Sequence, residues 1–271
     1  NKRHIFGGAM NITLAPEFRA RLLKQIAERE FSERQGIHCT DLIYCLNKQA
    51  MRKLNPEPTS DQEVLLFSLG WATQRWLTGQ DKDIPEKTVD GITVTLDALS
   101  PSVCVAGHKG IKEHDCGVPH CWSPVVFGNE PWELKATFQS ANRPIEENIH
   151  WIRQLMAQCY VTGTTTTYLT RLEIMGDWGS IFPKGSSKEE KATYKVAHPK
   201  PTLTAYQVEF TKDELDTFWK WLVERGQLFG GILETGKLLP PALALASGMS
   251  FECGYCGDSR RKCCKEGKVN G

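Results

Sequence analysis

Two carboxylates and a lysine, Asp97 and the tripeptide Glu133-Leu134-Lys135, are the residue types that phosphodiester hydrolysis uses. That reaction needs a divalent cation held by oxygen ligands and a water made nucleophilic beside it. On two adjacent strands, Asp97 and Glu133 could meet at one Mg²⁺ or Mn²⁺, with the Leu134 carbonyl as a third ligand. Lys135, on the same strand face as Glu133, could hold the attacking water or steady the phosphate charge. A Glu-x-Lys on an exposed strand is more often a solvated pair, so the order of the surrounding elements must carry the reading.

A second chemistry lies in the cysteines. Cys45 stands alone early, while Cys253, Cys256 and Cys263 come late, with Cys264 beside the last. Four thiolates suit a [4Fe-4S] cluster or tetrahedral Zn²⁺, and spacing alone does not separate them. Either requires the fold to bring Cys45 to the late cysteines, closing a long loop and removing unfolded-state entropy. Between the two candidate catalytic strands, Cys104, His108, His114, Cys116, His120 and Cys121 form another concentration. It reads as a candidate zinc knuckle at the rim of a cleft, although Cys116 and Cys121 lack the common two-residue spacing.

Composition narrows the classes. The 271 residues, 40% hydrophobic and 24% charged, can build one large domain or two small ones. No run of about eighteen apolar residues exists, and the order of a signal peptide is absent, so the expectation is a soluble cytoplasmic protein without a membrane partner. Ten cysteines in a chain of this length, grouped with histidines, favour metal ligation over disulfides. A net charge of +1 confines nucleic-acid contact to local basic patches, such as Arg260, Arg261, Lys262, Lys265 and Lys268, or Lys184, Lys188, Lys191 and Lys195. Residues 1–9 read as a remnant ahead of a native start at Met10.

The positioning elements follow from periodicity. A helix over 15–31 places Phe18, Leu22, Leu23 and Ile26 inward. A second, capped by Thr40, runs through Cys45 to Met51 and ends before Asn55-Pro56. A third spans 61–78, with Leu65, Leu66, Leu69, Ala72, Trp76 and Leu77 as its buried side. Alternation then predicts a strand over 91–97 ending in Asp97, and another over 125–137 that puts Trp132 and Leu134 on one face and Glu133 and Lys135 on the other. A helix over 145–161 carries His150, Gln154 and Gln158 as one polar stripe. Strands over 168–174 and 204–210 are joined by a loop over 183–201. Thr211-Lys-Asp-Glu214 is a capping box opening the next helix, with Leu215, Phe218, Trp219 and Leu222 buried. Among the tryptophans, Trp71 is the candidate for stacking on a base.

In this order, Thr40-Asp-Leu-Ile-Tyr-Cys45, Asp97, Glu133-Leu-Lys135, His150-x-x-x-Gln154 and Cys253-x-x-Cys256 resemble the RecB-type nucleases of the PD-(D/E)xK superfamily. More closely, they resemble the CRISPR-associated Cas-four exonucleases, which share an iron–sulfur cluster with the AddB nuclease domain. The resemblance covers about 36–264. It implies metal carboxylates at Asp97 and Glu133, a catalytic Lys135, and Gln154 as the glutamine that orients the site near DNA. It implies a [4Fe-4S] cluster on Cys45, Cys253, Cys256 and either Cys263 or Cys264. Three positions depart from the pattern. Gln74 stands where members carry a histidine; Gln158 stands where a tyrosine is expected, with Tyr160 nearby on another side of the helix; and six or seven residues separate Cys256 from the last cysteines.

The expectation is therefore an α/β fold, a restriction-endonuclease-like mixed sheet flanked by helices. Its divisions would be an N-terminal helical region over 10–85, a nuclease core over 86–238 with the 104–121 insertion, and a cysteine segment over 239–271. The function would be metal-dependent exonucleolysis of DNA, on single strands or ends, in CRISPR adaptation beside an integrase or in recombination and repair. The alternatives are a nonenzymatic DNA- or partner-binding module and a zinc-stabilised scaffold of the same fold.

Overall fold

The structure, a computed structural model, describes residues 14–31, 34–56, 58–78, 86–99, 103–104, 125–126, 130–137, 144–174, 182, 185–197 and 201–255. In chain order come α1 (Pro16–Glu30), β1 (Ile37–His38), α2 (Cys39–Ile43), α3 (Leu46–Leu54) and α4 (Asp61–Thr78). Short strands follow: β2 (Lys87–Val89), β3 (Ile92–Val94), β4 (Ala98–Leu99), β5 (Val103–Cys104) and β6 (Val125–Val126). Then come β7 (Pro131–Thr137), α5 (Ile149–Thr162), β8 (Thr166–Glu173), α6 (Lys188–Ala197), β9 (Thr202–Glu209), α7 (Lys212–Thr235) and α8 (Pro241–Ala244). Single 3-10 turns lie at Ile145–Glu147 and Ser250–Tyr255.

The chain divides into two compact units, Asn1–Arg34 with Pro58–Ala72, and Gln35–Glu57 with Thr73–Gly271. In the first, Arg19 bonds Asp61 at 2.7 Å, and Ser60 caps α4 reciprocally with Glu63. Phe31 packs edge-on against Phe67 and Trp71, with ring centroids 6.2 and 5.0 Å apart. Trp71 also lies 6.2 Å from Phe67, with the two rings stacked at 29°. The predicted inward faces are only partly buried: Leu23 and Val64 are, while Phe18, Leu22, Leu65, Leu66, Leu69 and Trp76 are exposed. α4 is apolar around most of its circumference, so apolar content alone does not single out a buried side.

The second unit is a mixed α/β fold. A three-stranded sheet has the order β1-β3-β2, with β1 parallel and β2 antiparallel to β3. Asp90 and Gly91, at φ 50° and 75°, make the two-residue turn between β2 and β3. A four-stranded sheet has the order β4-β7-β8-β9; its central pair, β7 and β8, is parallel and joined by α5, while β4 and β9 run antiparallel. β5 and β6 form a separate antiparallel pair. The core joins Leu42, Ile43 and Leu46 to Ile92 and Val94, Ala157 of α5, and Leu222 and Phe229 of α7.

Four expectations change. The helix predicted through Cys45 is broken: Cys39–Ile43 and Leu46–Leu54 are separate, and Cys45 is extended at φ −68°, ψ 113°. The Arg225 guanidinium takes the carbonyls of Leu42 and Tyr44 at 2.6 and 2.7 Å, the acceptors that a continuous helix would use itself. The first cap is not Thr40 but the turn at His38, whose N–H donates to Asp41 at 2.9 Å. The strand predicted over 125–137 begins at Pro131, where a missing N–H does no harm, and Val125–Val126 pairs elsewhere. The loop predicted over 183–201 contains α6, opened by a reciprocal cap in which Ser187 N donates to Glu190 at 2.7 Å and Glu190 N to the Ser187 hydroxyl at 3.1 Å. Lys188, Lys191 and Lys195 therefore ride on a helix. Strands β8 and β9 and the capping box at Thr211 agree with the sequence reading. No helix among the described residues is long and apolar enough to cross a membrane.

Candidate active site

Alternation along β7 divides its side chains as predicted. Trp132 turns to one face, where its indole N–H donates to the Thr170 hydroxyl at 2.9 Å. Glu133 and Lys135 turn to the face covered by α5. There Gln154 and Gln158, one helical turn apart, receive them. Gln154 Oε1 accepts from Lys135 Nζ at 2.9 Å, and Gln158 Nε2 donates to Glu133 Oε2 at 2.6 Å and to the Thr95 carbonyl at 3.3 Å. Lys135 Nζ also donates to Glu133 Oε1. Glu133 is 1% exposed, so both of its oxygens are satisfied by protein.

Asp97 arrives from the other side. It lies at the bend before β4, and the pairing of Ala98 with Trp132 sets it beside β7. Its Oδ2 accepts the Leu134 N–H at 3.0 Å. In a strand the N–H and C=O of one residue point to the same edge, so the Leu134 carbonyl is turned towards Asp97 as well. Gln74 of α4 donates to the Asp97 carbonyl at 3.2 Å, supporting that bend through the main chain.

The electrostatics follow from crowding two carboxylates around one ammonium. Burial first, and then the charge of Glu133, push Asp97 up to about 7, against the opposing pull of Lys135 and the Leu134 N–H. Burial disfavours the charge on Lys135, but Glu133 and Asp97 outweigh it and hold the ammonium above the ordinary lysine range. The cluster is short of positive charge. Among the described residues no group of three or more Asp, Glu, His and Cys side chains is placed to hold a metal ion. The donor set is instead two carboxylates with a main-chain carbonyl on the same edge. That set suits Mg²⁺ or Mn²⁺, which take few protein oxygens and complete their shell with water and substrate phosphate.

Of the other candidates, His150 sits one turn before Gln154, with its ring centroid 5.8 Å from Tyr44 and 5.7 Å from Phe251. Burial, followed by the charges of Lys135 and Arg153, lowers it to about 4, so it is a neutral imidazole. Tyr160 does not join the site: it stacks on Trp219 at 4.4 Å and 7° in the core below α7.

Around Cys45 the structure draws the two distant chain segments together. Cys45 N donates to Glu252 Oε2 at 3.3 Å, and Lys48 Nζ donates to Glu252 Oε1 at 3.2 Å. Cys253 is the next residue and is exposed, whereas Cys45 is buried. Upstream, Asn47 exchanges two hydrogen bonds with Leu239, at 2.8 and 2.9 Å. Arg225 reaches from the carbonyls of Leu42 and Tyr44 to those of Leu243 and Ala244, at 3.4 and 3.0 Å, and Arg153 takes the Ser247 carbonyl at 2.8 Å. Cys256, Cys263, Cys264, the set from His108 to Cys121, and the basic residues after 259 lie outside the described residues, and Cys104 is described only as part of β5. The sequence reading missed Tyr44, Arg225 and Glu252. Glu252 beside Cys253 was the one available signal; nothing local marks Arg225.

No protein-family model matches the chain, and no curated protein matches it. Among solved structures, that of SSO0001 is similar over 91% of this chain and 95% of that one, at 14% identity and a TM-score of 0.46. A phage-related exonuclease from Haemophilus somnus 129PT is similar over 75% of this chain and 97% of that one, at 9% identity and a TM-score of 0.42. At these values neither likeness decides an activity, which rests on the side chains themselves.

Proposed function

We propose that this protein is a metal-dependent deoxyribonuclease that hydrolyses phosphodiester bonds exonucleolytically, on single strands or strand ends. The observation that supports it is the convergence of Asp97, Glu133 and Lys135 from two strands, with Gln154 and Gln158 fixing the lysine and the glutamate. Asp97, Glu133 and the Leu134 carbonyl would hold Mg²⁺ or Mn²⁺, which supplies Lewis acidity towards the scissile phosphate and lowers the pKa of water. Lys135, 20% exposed and tethered to Gln154, aims a fixed positive charge at the phosphoryl oxygens, where negative charge develops. Gln158 keeps Glu133 in one orientation while that happens.

The cofactor proposal is a [4Fe-4S] cluster on Cys45, Cys253, Cys256 and either Cys263 or Cys264, with Zn²⁺ as the competing occupant. It is supported by the bond from Cys45 N to Glu252, which draws Cys253 into the same neighbourhood. CRISPR adaptation, beside an integrase, or DNA recombination is the proposed setting.

The test is degradation of end-labelled single-stranded DNA by anaerobically purified protein with Mn²⁺, beside Lys135→Ala prepared identically. Cleavage by the wild type that falls at least about 100-fold in the variant is the expected result. Binding without cleavage in either Mg²⁺ or Mn²⁺ would leave a nonenzymatic DNA-binding module.

A further inference from the structure

We propose that the Thr137 hydroxyl and the His150 imidazole form a subsite for the phosphate next to the scissile one, so that the protein grips two successive phosphates of its strand. The inference rests on reading Asp97, Glu133 and Lys135 as a nuclease site, and it adds two side chains which that reading leaves unused.

Strand β7 and helix α5 face each other as a ladder. Its first rung joins Glu133 to Gln158 at 2.6 Å, and its second joins Lys135 to Gln154 at 2.9 Å. Two residues advance a strand by about 6.6 Å, and four residues of helix rise by about 6 Å. The two elements therefore stay in step, and the next pair in the same direction is Thr137 with His150. At this third rung, among the described residues, the side chains make no hydrogen bond: Thr137 Oγ1 and His150 Nδ1 are both buried and both without a partner. Neither residue is free to turn elsewhere. The His150 ring lies 5.8 Å from Tyr44 and 5.7 Å from both Trp151 and Phe251, and the Thr137 carbonyl accepts the Ile174 N–H at 2.9 Å. A buried polar atom left unpaired is costly, so two on one rung mark a position that a polar ligand completes.

The neighbours define the ligand. Lys135, on the second rung, is a fixed cation. Strand register sets Arg171 beside Lys135 and Glu173 beside Thr137 on the same sheet face, and these two charges pair with each other at 3.0 Å. No uncompensated carboxylate therefore faces the third rung from β8. A threonine hydroxyl and an imidazole in its Nδ1–H tautomer are both donors, and the oxygens of a phosphodiester accept from both. The rungs are spaced much as successive phosphates are along a strand, so with Lys135 on the scissile phosphate the next one falls at Thr137 and His150. Contacts to phosphate carry no base information; the subsite sets the register of the strand and tolerates any sequence.

The experiment measures binding of short oligonucleotides in Ca²⁺, each carrying one methylphosphonate, which removes the charge of a single linkage and is stepped along the strand. Wild type is compared with Thr137→Val and His150→Phe, which keep the volume of each side chain and remove its polar atom. One linkage should be sensitive in the wild type, its methylphosphonate weakening binding at least about fivefold. Each variant should bind the unmodified strand that much more weakly and no longer respond at that linkage. Thermal melting confirms that both variants are folded, and Thr137→Val should melt no lower than wild type, because its buried hydroxyl has no protein partner to lose. Wild-type affinity and sensitivity in both variants would overturn the subsite and leave a water as the partner of the two atoms; so would a wild type that binds no oligonucleotide, or a Thr137→Val that loses binding only by melting lower. Cleavage is scored separately in Mn²⁺, where the products should map the sensitive linkage next to the scissile one. A linkage whose sensitivity both variants lose, with no cleavage by the wild type, would keep the phosphate subsite and reject the nuclease reading. Cleavage with no effect of either variant on binding would do the reverse.

Discussion

Among the described residues of the second unit, Lys48 with Glu252 and Lys135 with Glu133 are two close lysine–glutamate pairs, and their charge balance differs. Lys48 and Glu252 meet at 3.2 Å with side chains 7% and 8% exposed, one cation to one anion, and the second Glu252 oxygen accepts the Cys45 N–H. Lys135 and Glu133 meet as closely, but Asp97 stands beside them, so two carboxylates share one ammonium. The first pair is complete in itself and serves to fasten one chain segment to another. The second retains an unbalanced negative charge that either a proton or a metal ion can neutralise, and that imbalance is what makes it a candidate for chemistry.

Replacing the surplus carboxylate sharpens the contrast most. Asp97→Asn should lower cleavage by at least about 100-fold, read from initial rates in Mn²⁺. It should also change how stability depends on pH. The pKa of Asp97 rises from its ordinary 3.8 to about 7 on folding, so between those values the folded protein keeps a proton that the unfolded chain has released. The Asp97 contribution to metal-free stability is therefore largest at the acid end of that window and falls as pH rises to 7, against the opposite slope of His150, whose pKa is lowered on folding. In urea titrations with chelator, this contribution should vanish in Asp97→Asn; an unchanged slope would break the comparison.

The balanced pair makes a different prediction. Glu252→Gln leaves Lys48 buried without its counter-charge, and should lower unfolding free energy by about 3–5 kcal/mol in denaturant titrations. A loss below about 1 kcal/mol would mean that this pair is no fastener. The smallest effect is expected at Gln74, which touches the Asp97 main chain and neither charged cluster. Gln74→Ala should cost about 1 kcal/mol of stability while cleavage stays within a few-fold of wild type.

Much of the candidate site was legible because strand alternation and helical periodicity are local. They place Glu133 and Lys135 on one face of β7, and Gln154 and Gln158 on one stripe of α5, before any contact is known. Other features depend on partners far along the chain. At the break beside Cys45 the freed carbonyls of Leu42 and Tyr44 are taken by Arg225, and no window around Cys45 contains that partner. The exposed apolar side chains of α4 were unreadable for another reason: a helix apolar on several faces gives periodicity nothing to select. Helix α6 was legible and missed, for Ser187 and Glu190 have the spacing of a capping box inside a stretch whose lysines, serines and glycines otherwise suggest a loop.

The bond between Cys45 and Glu252 spans 207 positions of sequence. At a synthesis rate of about 5–20 residues per second, the nascent chain carries Cys45 for roughly 10–40 s before Glu252 is made. Throughout that interval the Cys45 N–H lacks the carboxylate it bonds in the finished protein, so the segment around Cys45 must wait for the last part of the chain to be fastened.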